Sequence, residues 1–260
     1  MTYAVDALST IRILGTRVHI VENPGVVEIM DDWVQTEPGV CHQVINTGMH
    51  GIINGYRDPS FKKILNSADL FAPDGLLVAL IARLRGFPLS KARTGPDLMW
   101  DFGTIADRKG YKYFIYGDTN DTLQTLSIRL RDSFPGLRLV GQYSPPFRDL
   151  TEEEDQAVML MIAEAKPDIL WVGLGTPKQD RWIFEHRDRL KVPVAVGVGA
   201  AFKYHSGILR RAPRLFRNLG LEWLWRLSHE PARVWRRVFI DTPQFMLLTA
   251  IELLGLKKFH

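Results

Sequence analysis

The feature that most constrains the fold is a recurring order: a short apolar run, then a turn, then a helical pattern. The stretch ILWVGLGTPKQDRW (169–182) shows it clearly, because its apolar run does not alternate with polar residues and ends at Gly173. Such a run is typical of a strand buried on both faces. Thr176 and Gln179 then have the spacing of a capping box, in which Gln179 accepts from the main-chain N–H of Thr176, and Pro177 suits the first helical turn.

A helix that starts after a glycine turn can bind phosphate, because its first N–H groups are free and its dipole is positive there. Every α/β crossover also needs a turn of this kind, so residues 173–179 alone leave both interpretations open. Their spacing, G-x-G-x-P, differs from the G-x-G-x-x-G of dinucleotide-binding folds, which does not favour a nicotinamide enzyme.

The same order continues through most of the chain. Helical patterns begin at Asn23, Asp58, Asp74 or Gly75, and at a second capping box over 151–154. The candidate strands are 11–14, 18–21, 42–46, 69–72, 111–116, 137–141, 168–172 and 193–198. Crossovers of this length predict an α/β fold with a Rossmann-like, mostly parallel sheet and helices on both faces.

The character of the chain changes near Ile208, where strands stop and basic, Trp-rich helical patterns begin. We predict an α/β domain over 1–207 and a basic helical C-terminal appendage over 208–260. The net charge of +4 is unevenly placed, since the appendage carries ten Lys or Arg against four Asp or Glu, a net +6, and the rest is at −2. This asymmetry indicates an anionic partner, either phosphate, nucleic acid or a membrane surface.

Cysteine content and apolar stretches indicate the redox compartment of the chain and its relation to the membrane. The single Cys41 excludes an intrachain disulfide and a Cys-rich metal site, and it fits a reducing compartment. The first residues lack a basic segment followed by an apolar one, so no signal peptide is predicted. The stretch 245–256 is apolar but short and contains Glu252, so it is not predicted to span a membrane.

Polar or glycine-rich turns follow several candidate strands, and ligands of open parallel sheets bind beyond the carboxyl ends of strands. Two of these turns are glycine loops that enter helices in consecutive units, which together favour a phosphate-bearing ligand. The histidines share no metal-ligand spacing, so we predict neither a metal nor another cofactor. The residues at these ends are Asn46, Thr47 and Gly48, then Asp74 and Gly75, then Gly173 and Gly175, then Gly197 and Gly199.

Asp74 is the carboxylate that stands out, because it follows an apolar strand and precedes the apolar pattern LLVALIA. Asp is among the best N-cap residues, and an Asp beside an acceptor hydroxyl can equally take its proton as a general base. Both roles stay open on the residues alone.

The appendage mixes arginine with tryptophan. Four of its charged residues recur at helical spacing, so on one helix they would share a face that is either self-paired in solvent or able to bind a diphosphate or a bilayer surface. These residues are Arg226, Glu230, Arg233 and Arg237.

Seven segments occur in a fixed order over about residues 11–237: NTGMHGII, ADLFAPDGLLVA, TGPDLMW, WVGLGTPKQDRWI, VGVGAAFKYHSG, RRAP and GLEWLWRL…EPAR. Together they resemble the WecG/TagA/CpsF family of bacterial glycosyltransferases. The resemblance implies inverting, metal-independent transfer of a sugar from a nucleotide-diphosphate donor, usually UDP-linked, to a polyprenyl-pyrophosphate-linked saccharide. It also implies a peripheral enzyme on the inner face of the bacterial cytoplasmic membrane that serves cell-surface polysaccharide synthesis.

The resemblance assigns roles to particular residues. Asp74 matches the family's base, and Gln179 matches a glutamine of the donor pocket. The other implied donor-binding residues are Asn46, Thr47, Gly75, Gly175, Gly197 and Gly199. The arginines implied to bind the acceptor pyrophosphate are Arg211, Arg233, Arg236 and Arg237. Asn46 and Gly48 stand where the family often has Thr and Asn, so the donor sugar is not indicated.

Two alternatives come from other classes of protein. An NAD(P)-linked oxidoreductase would need G-x-G-x-x-G early in the chain and an acidic residue about 20 positions later, and the sequence has neither. A non-catalytic nucleotide or nucleic-acid binder could use the basic tail, but that tail has no recognised nucleic-acid-binding signature. The predicted partners are therefore a UDP-sugar, a lipid-linked acceptor and an anionic membrane surface, without nucleic acid, and a homo-oligomer stays open.

Overall fold

Six parallel strands form the central sheet, in the order β4-β3-β8-β7-β5-β6. The structure is a computed structural model that describes residues 5–87, 89, 94–213, 216 and 222–259, and for Arg233 the backbone alone. The strands in chain order are β1 Thr10–Ile13, β2 Thr16–His19, β3 His42–Thr47, β4 Leu70–Pro73, β5 Lys112–Gly117, β6 Arg138–Tyr143, β7 Ile169–Gly173 and β8 Val194–Gly197.

All eight predicted strands are present, but the first two stand apart from the main sheet. β1 and β2 form a separate antiparallel hairpin in which Ile13 pairs with Thr16. Leu14 and Gly15 at its tip both have positive φ, 50° and 82°, as a tight two-residue hairpin turn requires.

Helices cover both faces of the parallel sheet, so the predicted fold class is confirmed. The helices are α1 Asn23–Thr36, α2 Met49–Arg57, α3 Pro59–Ser67, α4 Leu76–Leu84, α5 Gly95–Lys109, α6 Asn120–Ser133, α7 Glu152–Ala165, α8 Lys178–His186, α9 Ala201–Ser206, α10 Glu222–His229, α11 Pro231–Arg236 and α12 Thr242–Leu253. A short 3₁₀ turn precedes β1 (Val5–Ala7), and a π-helical turn joins α11 to α12 (Arg237–Asp241).

Alternating side chains of each strand enter different cores. Val44 of β3 packs with residues of α1 and α5, whereas Ile45, the next residue, packs with residues of α2, α3 and α4. On β7, Trp171 faces the first of these cores and Leu170 packs with residues of α7 and α8. The strands are thus apolar on both faces, which explains why their sequences do not alternate.

The structure agrees with four of the five predicted helix starts, since α1 begins at Asn23 and Gly75 is the N-cap of α4. Asp58 caps α3 by accepting from the N–H groups of Ser60 and Phe61. The capping box before α7 is present, with Thr151 and Glu154 bonded reciprocally. The capping box of Thr176 and Gln179 is wrong, because α8 begins later, at Lys178, and among the described residues no side chain caps it.

The C-terminal segment differs from its predicted arrangement. Arg226 and Arg237 do not lie on one continuous α-helix, because α10 ends at His229 and Pro231, which lacks an N–H donor, starts a new helix. α12 packs on the α/β body, with Phe245 only 1% exposed in the core that includes α2 and α4. The division at residue 208 stays a prediction. None of the helices among the described residues has the length and apolar composition needed to span a bilayer.

Candidate active site

Asp74 lies directly after β4, beside the end of β3. The register pairs Thr47 with Pro73, so Gly48 and Asp74 follow their strands side by side. A Cβ atom added to Gly48 would lie 2.2 Å from the main-chain oxygen of Asp74. A side chain at position 48 would clash with this main-chain oxygen, so the close approach of the two strand ends requires glycine.

The structure excludes the capping role of Asp74. The N-cap of α4 is Gly75, with φ +84°, and within the described part of the chain no side chain bonds to the start of this helix. The carboxyl group of Asp74 is therefore free for chemistry. Burial raises its pKa to about 7, although the nearby Arg237 acts in the opposite direction. A carboxyl group with this pKa is half ionised near neutral pH and can accept a proton from a hydroxyl group.

Gln179 connects the two glycine loops that follow β7 and β8. Its Oε1 accepts from the N–H of Gly175 at 3.1 Å and from the N–H of Gly199 at 2.8 Å. The side chain is 1% exposed. This arrangement replaces the predicted capping bond, because the long amide side chain spans to a neighbouring loop rather than to its own helix start.

Gly197 lies beneath this contact, at the end of β8. A Cβ atom at Gly197 would lie 2.6 Å from Nε2 of Gln179 and 2.7 Å from Oδ1 of Asp180. Gly175 and Gly199 have φ of +82° and +54°, which glycine adopts readily. The structure thus brings together the predicted glycines of both loops through one buried glutamine.

Asn46 and Thr47 complete this edge of the sheet at the end of β3, and both are 6% exposed. Asn46 faces the start of α5, since a Cβ on Gly95 would lie 3.1 Å from its Oδ1. β4, β3, β8 and β7 are neighbours in the sheet. All predicted donor-site residues therefore lie at one edge, and their contact with a donor stays a prediction.

Asp180 is a buried acid that the sequence analysis missed. It is fully buried, and this burial raises its pKa to about 7, while Thr176 and Gln179 act to lower it. Gln43 of β3 donates to its main-chain oxygen at 2.8 Å. An acid in the first turn of a helix is ordinarily a surface residue that complements the dipole, so no sequence signal marked it.

Arg211, a predicted pyrophosphate ligand, is held by Asp97 of α5. Its guanidinium donates to both carboxylate oxygens, at 2.8 and 2.7 Å, and to Oγ1 of Thr94 at 2.8 Å. Burial acts to raise the pKa of Asp97, but the bonds from Arg211 and Thr94 outweigh it and lower that pKa to about 2. Thr94 and Asp97 also form the capping box of α5, so Arg211 connects the C-terminal segment to this helix start.

The other predicted arginines take different positions. Arg237 is half-buried, and its pKa is lowered by burial and by the like charge of Arg226, while Asp74 acts to raise it. Arg236 is exposed. The side chain of Arg233 lies outside the described residues.

A cavity of about 270 Å³ lies between α5, α9 and Arg211, and the sequence analysis did not predict it. Asp97 and Arg211 line it and also influence the pKa of Asp74. Its carboxylates and aromatic rings offer polar and apolar contacts of the kind that fix a small ligand. Its lining residues are Asp97, Trp100, Asp101, Tyr204, His205 and Arg211. Across the part of the chain that the structure describes, no three His, Cys, Asp or Glu residues could hold a metal ion.

Comparison with known proteins gives one family. The sequence profile of the glycosyl transferase WecG/TagA/CpsF family matches residues 11–259. The chain is also similar to proteins named N-acetylglucosaminyldiphosphoundecaprenol N-acetyl-beta-D-mannosaminyltransferase. The one from Bacillus spizizenii (strain W23) is 34% identical over 190 residues, 73% of this chain and 71% of that protein. Those from Bacillus subtilis (strain 168) and Staphylococcus aureus (strain MW2) are 29% and 30% identical, over 78% and 76% of this chain and 77% and 76% of theirs.

Proposed function

Because the chain belongs to the WecG/TagA/CpsF family of glycosyl transferases, we propose that it transfers a sugar from a UDP-sugar to a saccharide carried on polyprenyl diphosphate, with inversion. The resemblance of its seven segments is thereby confirmed, and the protein is a glycosyltransferase. The names of the three relatives support the acceptor class, since each specifies N-acetylglucosamine on diphosphoundecaprenol. The transferred sugar is a hexose or an N-acetylhexosamine.

Asp74 acts as the general base. Its carboxylate takes the proton of the acceptor hydroxyl while that oxygen bonds to the anomeric carbon of the donor. The bond from this carbon to the donor diphosphate breaks, and the electron pair leaves with the diphosphate oxygen. Attack opposite the leaving group inverts the anomeric centre. The free carboxyl group and its pKa of about 7 support this role.

The donor lies at the edge formed by β3, β7 and β8. Gln179 already accepts hydrogen bonds from the N–H groups of Gly175 and Gly199, so its role here is to fix the shape of both loops around the donor. Main-chain N–H groups of these loops and arginine stabilise the leaving diphosphate, and no metal is required.

Arg237 is our assignment for the acceptor pyrophosphate. It lies near Asp74, and the like charge of Arg226 contributes to lowering its pKa. A bound diphosphate would relieve that repulsion and gain charge-assisted hydrogen bonds. Arg211 assists from its position on Asp97. The exposed Arg236 belongs to the same C-terminal segment, and Arg233 is proposed from the resemblance alone.

The C-terminal segment attaches the enzyme to the inner face of the cytoplasmic membrane, where a lipid-linked acceptor is present. Its net charge of +6 favours an anionic surface. Trp235 and Phe239 are 50% and 63% exposed, which suits a bilayer interface. Each Lys or Arg near an anionic leaflet contributes on the order of 1 kcal/mol.

The single observation that carries this proposal is the carboxyl group of Asp74, which does not cap α4, has a raised pKa and interacts with the charge of Arg237. The test is a donor screen with purified protein and synthetic N-acetylglucosaminyl diphosphate on a lipid chain, with and without EDTA. We expect a β-linked disaccharide product from a UDP-linked α-sugar, and equal rates in both conditions.

Two results would contradict the proposal. If no UDP-sugar gives product, and NAD or DNA but not UDP stabilises the protein in a thermal-shift assay, the protein does not transfer a sugar from UDP. If EDTA abolishes the activity and magnesium or manganese restores it, only the metal-independent mechanism is contradicted.

A further inference from the structure

α4 is apolar on all its faces although one of them is open to solvent. Its sequence is LLVALIARL, in which only Arg83 is polar. One face is buried in the core, through Val78, Ala79 and Ala82 among others. Surface helices of soluble proteins normally carry charged or polar residues on the opposite face.

Leucines occupy that opposite face instead. Leu76, Leu80 and Leu84 are 57%, 47% and 64% exposed. They are four residues apart, so they form one stripe, which we call the leucine stripe. It extends about 12 Å along the helix from a point two residues after Asp74.

A second apolar surface lies on α12. This helix is tied to the end of α4, because Glu252 pairs with Arg85, the residue after α4, at 2.7 Å, and Phe245 shares a core with Val78. At the other end of α4, Arg237 lies near Asp74. The exposed positions of α12 and the turn after it are also apolar: Met246, Leu247, Leu253, Leu254 and Leu256 are 39–73% exposed.

Exposed basic residues lie close in sequence to both surfaces: Arg83, Arg236, Lys257 and Lys258. Apolar helix faces flanked by basic residues are typical of helices that lie in the interface of an anionic membrane. A second copy of the chain is a poorer fit, because two such surfaces placed face to face would bring these like charges together.

We propose that the leucine stripe of α4 inserts into the membrane leaflet together with the exposed face of α12. The α/β body then contacts the bilayer directly, through the helix that begins beside the proposed base. Only the reason for this placement rests on the proposed function: insertion would set Asp74 at the level of the lipid head groups, where a lipid-linked diphosphate lies. The insertion itself needs neither donor nor acceptor.

The test replaces Leu76, Leu80 and Leu84 together by Gln in the full chain, which leaves every charge unchanged. Binding is measured by co-sedimentation with vesicles of phosphatidylglycerol and phosphatidylethanolamine. We expect apparent affinity to fall at least about tenfold, at both low and high salt, because apolar burial is lost rather than charge. The matched control replaces Ile128, Leu160 and Met161 by Gln; these residues are 60%, 60% and 40% exposed on α6 and α7. This control variant should bind vesicles as the wild type does.

A labelling experiment keeps the proposal testable if the triple variant does not fold. In a Cys41→Ala background, Leu84→Cys and Leu160→Cys each carry an environment-sensitive fluorophore. We expect vesicles to shift the emission of the label at position 84 to the blue and to leave the label at position 160 unchanged. Wild-type vesicle affinity of a folded triple variant, or no shift at position 84, would overturn the proposal. Absence of sugar transfer would contradict only the proposed function, because both readouts lack substrates.

Discussion

The edge of the sheet around Gln179 and the surface of the C-terminal segment are constructed in opposite ways. At the sheet edge, Gln179 is 1% exposed and its Oε1 accepts two main-chain hydrogen bonds. In the C-terminal segment, Trp235 and Leu247 are 50% and 63% exposed, and the charge is +6. The first region is specified by close packing and hydrogen bonds, whereas the second presents exposed apolar and basic groups to the solvent.

This contrast predicts that substitutions in the two regions fail in different ways. Changes at the sheet edge should lower the free energy of unfolding and UDP binding together. Changes on the C-terminal surface should leave both intact and affect only the membrane and the lipid-linked acceptor.

The largest combined effect on stability and activity is expected for Gly48→Ala. The new Cβ would lie 2.2 Å from the main-chain oxygen of Asp74, so β3 and β4 must separate where the site begins. Overpacking of this kind costs about 1–3 kcal/mol of the free energy of unfolding, and we expect transfer to fall at least about 100-fold through misplacement of Asp74. Urea unfolding and initial rates measure the two effects. Gly39→Ala is the control, since no described atom lies within 4 Å of its Cβ position.

Gln179→Ala should weaken the sheet edge next. The N–H groups of Gly175 and Gly199 lose their acceptor, which should cost about 2 kcal/mol of the free energy of unfolding because both are partly buried. UDP affinity should fall in parallel, as the two loops separate. Gln35→Ala, which removes an exposed amide that donates to Asp31, should change neither quantity. Unchanged stability in the Gln179 variant would mean that the loops hold their shape without it.

The strands could be predicted from the sequence because burial on both faces leaves a local mark, the unalternating apolar run. The hydrogen-bond partners of Gln179 could not be predicted, because its side chain bonds to Gly199, which lies in a loop 20 residues further along the chain, and not to Thr176. The need for glycine at position 48 likewise arises from Asp74, 26 residues away.

The order of the motifs indicated which residues form the candidate site, but the pairing of its charged groups could be seen only in the fold. Asp97 and Arg211 are far apart in the sequence, yet they bind each other at 2.7 and 2.8 Å. Asp180 has an ordinary place in a helix start, and only the fold shows that it is buried.

Arg211→Ala tests the bond between the C-terminal segment and the start of α5, together with its pH dependence. The pKa of Asp97 is lowered to about 2 in the folded protein, so its contribution to stability is present above about pH 4 and is lost as pH falls toward 2. We expect the variant to lose about 2 kcal/mol of the free energy of unfolding at pH 7. It should also lose less of its remaining stability than the wild type between pH 4 and 2.5. Parallel urea-unfolding curves across this range for both proteins would contradict the assignment.

The smallest effect on the enzyme itself is expected for Lys257→Gln with Lys258→Gln. Both side chains are exposed, so the free energy of unfolding and UDP binding should not change. Binding to anionic vesicles at low salt should weaken by about 2 kcal/mol at most, and the difference should disappear at high salt. A loss of UDP affinity in this variant would show that the two regions are not separable as described.

The central claim, that Asp74 is the general base, is tested most directly by the rate of transfer in Asp74→Asn across pH 5.5 to 8.5. Its side chain does not cap α4 and its pKa is raised to about 7, so wild-type rates should rise through pH 7 and level off above it. Asn cannot accept the proton, so the rate should fall about 10²- to 10⁴-fold and lose this pH dependence, while UDP binding persists. A rate near that of the wild type, or a wild-type profile that is flat across this range, would contradict the account.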